Sequence, residues 1–248
     1  MNARLETSQL ENFSLTAEHA LGQIAVRLPG ATAVFRRLKL DFCCGGQISL
    51  AQAARDKGLD LQAVLVELGA LQHPQEVPAL TDPAEQIDHI LTRYHEVHRQ
   101  QLPELVRMAR RVEAVHRDNP EVPAGLAALL EGMEVELLGH MVKEEEIVFP
   151  AIRSGGQFVA EHIATLRGEH VEHGARLDGV LALTHSATPP AGACNTWRAL
   201  YAGIAQLNDD LINHIHLENN ILFAHFDAPA APKSGCGANG GGCGCSGG

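Results

Sequence analysis

The chain has 248 residues, 45% of them hydrophobic, so it can bury a sizeable core and is long enough for more than one domain. Nineteen basic against thirty acidic residues give a net charge of −11, which argues against nucleic acid as a partner. No apolar run approaches the roughly 20 residues of a membrane helix, and no basic stretch leads into an apolar one as in a secretory signal. The expectation is a soluble, cytoplasmic protein with no membrane partner.

Residues 1–14 are polar and are expected to be flexible. Short helical patterns follow at about 16–28, 31–39, 49–57 and 61–71, with Gly58 as a stop between the last two. Asp41-Phe-Cys-Cys-Gly-Gly46 interrupts them. Residues 15–75 thus read as a small helical domain. It lacks the basic recognition face of a DNA-binding helix-turn-helix. A Pro-rich linker at 76–83 leads to Thr81-Asp-Pro-Ala-Glu85, which has the proline and acidic first turn of a helix start.

Four long amphipathic patterns then cover 84–226. The first spans about 84–117 and carries Ile87, Leu91, His95, His98, Leu102, Leu105 and His116 on one stripe, with Pro103 inside it. The second, about 123–152, reads Leu130, Met133, Leu137, His140, Glu144, Ile147. The third, about 157–186, reads Ile163, Leu166, His170, His173, Leu177. The fourth, about 193–225, reads Leu207, Leu211, His214, Glu218, Ile221, His225. Short connections make neighbours antiparallel, so the fold class expected is all-α, with the small domain followed by an up-down-up-down four-helix bundle. The last segment, 227–248, is Pro/Ala-rich and then Gly/Cys-rich, and is expected to be a flexible tail.

Fourteen histidines are the strongest compositional signal. In His140-Met-Val-Lys-Glu144 and His214-Ile-His-Leu-Glu218, residues four apart stand on one helical face, and that face is the interior seam. A carboxylate left unpartnered there costs several kcal/mol, and a metal is the natural partner. All four bundle helices place a histidine inward, and the second and fourth add Glu144 and Glu218. Imidazoles with carboxylates suit iron or manganese better than zinc. Six ligands exceed one tetrahedral ion but suit two ions about 3.5–4 Å apart, with both glutamates bridging. The pattern alone leaves His95 against His98, and His170 against His173, open. Of the Glu144-Glu145-Glu146 run only Glu144 keeps the seam period, so the other two read as a solvated face.

The six cysteines do not read as a disulfide framework. Cys43 and Cys44 are adjacent on a glycine-flanked turn, where redox exchange or transient metal transfer competes with simple packing. Cys194 is isolated. Cys236, Cys243 and Cys245 sit in the tail, where metal capture competes with no fixed role.

Asp-Phe-Cys-Cys-Gly-Gly at 41–46, Arg93-Tyr-His95, Leu102-Pro-Glu-Leu105, His140-x-x-Lys-Glu-Glu, Glu169-His170 and His214-x-x-Leu-Glu-Asn-Asn220 occur in an order that resembles the RIC family, the di-iron proteins for repair of iron centres. The resemblance covers about 15–226 and implies a hemerythrin-like bundle. It also implies two non-haem irons, oxo- or hydroxo-bridged, on His95, His140, Glu144, His170, His214 and Glu218. Glu169 would orient a ligand or relay a proton. The partners implied are damaged iron–sulfur proteins and nitric oxide or oxygen, with a homodimer as a further expectation. Iron supply and removal of nitric oxide from iron are both open, and the centre reads as reactive more than as a conventional turnover enzyme. A hemerythrin-like oxygen or nitric oxide binder or sensor is the alternative.

Overall fold

The structure, a computed structural model, describes residues 15–28, 30–71, 82–156 and 159–227. The segments 1–14 and 76–81 and the tail with Cys236, Cys243 and Cys245 lie outside the described residues. The described residues are helical and form no sheet; one isolated antiparallel bridge pairs Ala20 with Ser49.

Four short helices come first: α1 (Leu21–Arg27), α2 (Ala31–Arg37), α3 (Leu50–Asp56) and α4 (Leu61–Gly69). Local chemistry sets their ends. Ser49 Oγ accepts from Gln52 N at 3.2 Å to start α3, and Asp60 Oδ1 accepts from Gln62 N at 2.9 Å to start α4. Gly58, in the left-handed region at φ +64°, turns the chain between them. Leu21, Ile24, Phe35, Phe42, Leu50 and Leu68 form the core of this unit.

The bundle opens with α5 (Pro83–Ile90), whose first turn is capped by Asp82 Oδ1 on Ala84 N at 3.1 Å. It continues through Leu91–His95 into α6 (Glu96–Val115), which runs on past Pro103. Then come α7 (Leu126–Lys143), α8 (Phe149–Arg153), α9 (Ala160–Leu183) and α10 (Asn195–Leu217). Helix α6 packs on α7 and α10, α7 on α9, and α9 on α10, closing the four-helix ring.

Regular α geometry pairs His140 with Glu144 and His214 with Glu218, and three departures from it shape what surrounds them. Leu91–His95, Glu144–Val148 and Glu218–Leu222 are π-helical turns, each closed by a bond five residues long: Glu96 N–H to Leu91 O, Phe149 N–H to Glu144 O, and Phe223 N–H to Glu218 O. Each turn inserts one residue and rotates everything beyond it. The expected seam positions Ile147 and Ile221 therefore leave the core, Ile147 being 46% exposed, and Val148 and Leu222 replace them. Val148, Phe149, Leu222 and Phe223 join Ile87, Ile90 and Leu166 in an apolar cap. A larger core around Leu102, Leu137, Leu177 and Leu211 fills the other side. On every bundle helix the inward histidines lie between the two.

The small unit docks on α10 and the turn after it. Arg36 Nε lies 3.1 Å from Asp209 Oδ1 and its Nη1 donates to Asn213 Oδ1 at 3.0 Å, while Ile212 touches both cores. The Cys-Cys-Gly-Gly loop fits only with glycine at its end, because a Cβ on Gly46 would come 2.4 Å from Phe42 O and 3.2 Å from Gly22 Cα. Gly46→Ala should cost about 1–3 kcal/mol of unfolding free energy. Gly139→Ala, in open space on α7, should add about 0.5–1 kcal/mol. Urea unfolding of the two variants reads both signs.

Candidate metal centre

Eight donor positions converge between the cap and the main core. His95, His140, His170 and His214, with Glu144 and Glu218, are buried, and both glutamates are 0% exposed. All four histidines present Nε2 to the centre. His95 Nε2 lies 3.3 Å from Glu144 Oε2 and 3.1 Å from His214 Nε2, which lies 3.0 Å from Glu218 Oε1. His140 Nε2 lies 3.3 Å from Glu144 Oε1 and 2.9 Å from His170 Nε2, which lies 3.2 Å from Glu218 Oε2. The donors thus divide into two overlapping groups, His95/Glu144/His214/Glu218 and His140/Glu144/His170/Glu218. Each glutamate gives one oxygen to each group.

These residues fit metal ions by two tests. Glu144 Oε1 and Oε2 and Glu218 Oε2 are buried and make no hydrogen bond, although imidazole nitrogens stand nearby. Such carboxylate atoms need a cation. The spacing is the second test. With bonds of about 2.1 Å, adjacent donors stand about 3.0 Å apart around an octahedral ion and about 3.4 Å around a tetrahedral one. The observed 2.9–3.3 Å spans both values, so the donors stand as they would around a metal ion of either geometry.

Burial and the adjacent Glu218 push the Glu144 carboxyl up, but His140 and His95 outweigh them and hold it below the usual range. Glu218 is likewise pushed up by burial but held well down, by His214 and His170. Burial pushes His140 down, and Glu144 more than reverses this, taking it up to about 9. Positive charge is drawn to the centre of the site.

The outward ring nitrogens of His95, His140 and His170 are held in turn, which fixes the orientation of those three rings. His95 Nδ1 meets Glu145 Oε1 at 2.6 Å, and His170 Nδ1 meets Asn219 Oδ1 at 2.8 Å. His140 Nδ1 meets Glu169 Oε2 at 2.8 Å, and Lys143 pairs with the other oxygen of Glu169. Glu145 was expected on a solvated face. It sits half-buried against His95 and Arg99 instead, because the π-turn that starts at Glu144 swings it there. In the two π-turns that begin at a glutamate, the next residue, Glu145 or Asn219, reaches a histidine of another helix. Sequence spacing hides this; the adjacent acids of the Glu144–Glu146 run were its only trace.

His98 and His173 are buried but stay out of both groups. Their rings pack 5.4 Å from His214 and 4.8 Å from His140. Burial pushes them down to about 2 and about 3, so both are neutral near pH 7. Tyr94 stacks on His214 at 5.1 Å, Phe149 on His95 at 5.7 Å and Phe223 on His170 at 6.3 Å, walling the site with aromatic rings. Arg93 pairs with buried Asp210 at 2.5 Å, tying the first bundle helix to α10 beside the centre. His116 lies at the far end of the bundle, 3.2 Å from Cys194 Sγ, and His225 is exposed.

His216 lies under the small unit, its ring centroid 5.2 Å from that of Phe42 in an edge-on contact, and its Nδ1 accepts from Asn220 at 3.1 Å. Burial pushes its pKa down to about 4. The folded state keeps it neutral while the unfolded chain takes a proton below about pH 6.5, so its stability contribution is complete above that pH and is lost as pH falls toward about 4. Between about pH 7 and pH 5 the wild type should lose about 2 kcal/mol more than His216→Gln, read from urea unfolding at each pH.

The hemerythrin HHE cation binding domain family matches residues 86–226, and the Domain of Unknown function DUF542 matches residues 17–72. The iron-sulfur cluster repair protein YtfE of Cronobacter sakazakii is 49% identical over 209 residues, which is 83% of this chain and 95% of that protein. The proteins of the same name from Citrobacter koseri (47% over 209 residues, 83% and 95%) and Yersinia pseudotuberculosis (49% over 208 residues, 82% and 94%) are similar to the same extent. With its six histidines and glutamates gathered in one dry bundle interior, and with relatives matched over nearly their whole length, the chain belongs to the hemerythrin-like family of iron–sulfur cluster repair proteins.

Proposed function

We propose that this protein holds two iron ions on His95, His140, Glu144, His170, His214 and Glu218, and uses them to restore iron–sulfur clusters damaged by nitric oxide or oxidants. The observation that carries the reading is the pair of four-donor groups that share Glu144 and Glu218 through opposite oxygens. The printed names of its relatives support the cluster-repair part. Free Cys43 and Cys44 fit a reducing compartment such as the cytoplasm.

A ferrous pair supplies a site for a diatomic ligand such as nitric oxide or oxygen, and a source of iron for a damaged cluster. The chain's own residues prepare that site. Glu145, Glu169 and Asn219 accept from the outward Nδ1–H groups of His95, His140 and His170 and so keep those three Nε2 atoms free to bind. Phe149, Phe223 and Tyr94 exclude bulk water, which strengthens charge interactions at the two carboxylates. Access is suggested by a groove of about 630 Å³ lined by Leu91, Thr92, Arg99, Glu145 and Phe149, among others. The Arg99–Glu145 pair stands between the groove and His95.

Protein purified without oxygen should contain about two irons per chain. Glu144→Ala or Glu218→Ala should lose both, because each removes a donor from both ions. One iron per chain, or iron retained in both variants, defeats the reading. The reduced protein should give iron–nitrosyl absorption and electron paramagnetic resonance signals with stoichiometric nitric oxide. Silence there removes nitric oxide from the function. Asn219→Ala, which takes away the acceptor behind His170, should weaken iron binding about 10–100-fold in chelator competition.

A further inference from the structure

The loop between α2 and α3 carries three donor side chains that the six-residue centre does not use. Cys43 Sγ lies 3.7 Å from Cys44 Sγ and 3.4 Å from Asp41 Oδ1. One donor atom from each of the three residues falls within 4.8 Å of the others. Neither cysteine is in a disulfide. We propose that Asp41, Cys43 and Cys44 form a second metal site, an open three-donor site for one thiophilic divalent cation of the ferrous or zinc kind.

The spacing supports it. Around a tetrahedral ion with metal–sulfur bonds of about 2.3 Å and a metal–oxygen bond of about 2.0 Å, sulfurs stand about 3.8 Å apart and sulfur and oxygen about 3.5 Å. The loop already holds those edges without an ion between them. They are longer than the edges of the buried centre, as sulfur ligation requires. Backbone constraints hold them in place. Cys44 N–H donates to Asp41 Oδ1 at 2.9 Å, and a Cβ on Gly45 would come 2.9 Å from Asp41 Oδ2. The Cys43 thiol is crowded by Cys44 and Asp41 and partly desolvated, which pushes its pKa up; a cation would relieve that crowding.

Binding is a proton exchange without oxidation. The two S–H bonds break, two metal–sulfur bonds form, the Asp41 carboxylate gives the third bond, and two protons pass to solvent. Three protein donors leave the fourth position of a tetrahedral ion open, which marks a site for handing a cation on rather than a closed structural one. All three donors are exposed or half-buried, so another protein's ligand can reach them. The site is also moored to the buried centre. Asn219 and Asn220 donate to Cys43 O at 3.1 and 3.3 Å, and Asn219 accepts from His170 Nδ1 through its other amide atom. A single side chain spans the two sites.

Cobaltous ion tests the proposal, because thiolate-bound cobalt shows sulfur-to-metal charge-transfer bands and strong tetrahedral d–d absorption. The full-length chain carries Cys236→Ser, Cys243→Ser and Cys245→Ser, so that the tail adds no thiolate. It is loaded with iron, stripped of loosely held iron down to two per chain, kept reduced and free of oxygen, and titrated with cobaltous chloride. One cobalt per chain with both sets of bands is expected. Cys43→Ser and Cys44→Ser should each abolish the charge-transfer bands, and Asp41→Asn should weaken binding by about tenfold or more. Absent bands, or bands that survive in either cysteine variant, overturn the site. Undiminished affinity in Asp41→Asn overturns the three-donor geometry. Iron is counted before cobalt is added, so failure of the two-iron reading shows in that count and leaves the cobalt result independent. Unchanged iron content and circular dichroism in each variant show that the fold is intact.

Discussion

Two carboxylates in the dry interior of a helix bundle are the constraint on which the rest of this structure depends. Glu144 and Glu218 are fully buried, and together they place two negative charges where water cannot solvate them. Taking each out of water costs several kcal/mol unless positive charge and good geometry compensate. Four imidazoles converge on them, and each carboxylate divides its oxygens between two pairs of histidines. The ring of helices, the aromatic walls and the outward hydrogen bonds all serve to hold that arrangement.

The π-turns are the device that makes it possible. A straight α-helix that buries His140 and Glu144 on its seam also carries Ile147 there and would point Phe149 away from the cap. One inserted residue after each glutamate turns Phe149 and Phe223 inward and Ile147 outward. The same insertion swings Glu145 and Asn219 toward histidines on other helices. The result is an approximate two-fold pattern, with His95 and His170 related to one another, as are Glu144 and Glu218. The pattern breaks at His214. Its Nδ1 is buried with no hydrogen-bond partner, and Tyr94 stacks on its ring where Glu169 bonds to His140.

The small unit is part of the same construction. Its loop passes over the last π-turn, and Asn219 and Asn220 bind the backbone of Phe42 and Cys43. Asn219 therefore serves both units, orienting His170 with one amide atom and the cysteine loop with the other. The loop is thereby tied to the residue that orients His170. Gly22 and Gly46 allow this approach, since Asn220 and Phe42 O occupy the space that their side chains would need.

By itself the sequence determined the all-α class, the four-helix bundle and the convergence of histidines and glutamates, because these follow from a local period of 3.6 and from the cost of a polar group on an apolar seam. The His-x-x-x-Glu steps were legible as converging donor pairs for the same reason. A one-dimensional period could not separate His95 from His98 or His170 from His173, since both members of each pair lie on the same stripe. Only the tertiary structure directs the Nε2 atoms of His95 and His170 at the carboxylates and leaves the other two rings packed behind them. It alone decided the π-turns, the inward swing of Glu145 and the docking of the Cys43–Cys44 loop beside His170. Each of these depends on contacts between segments far apart in the chain, where the balance of packing and hydrogen bonding overrides the local helical repeat.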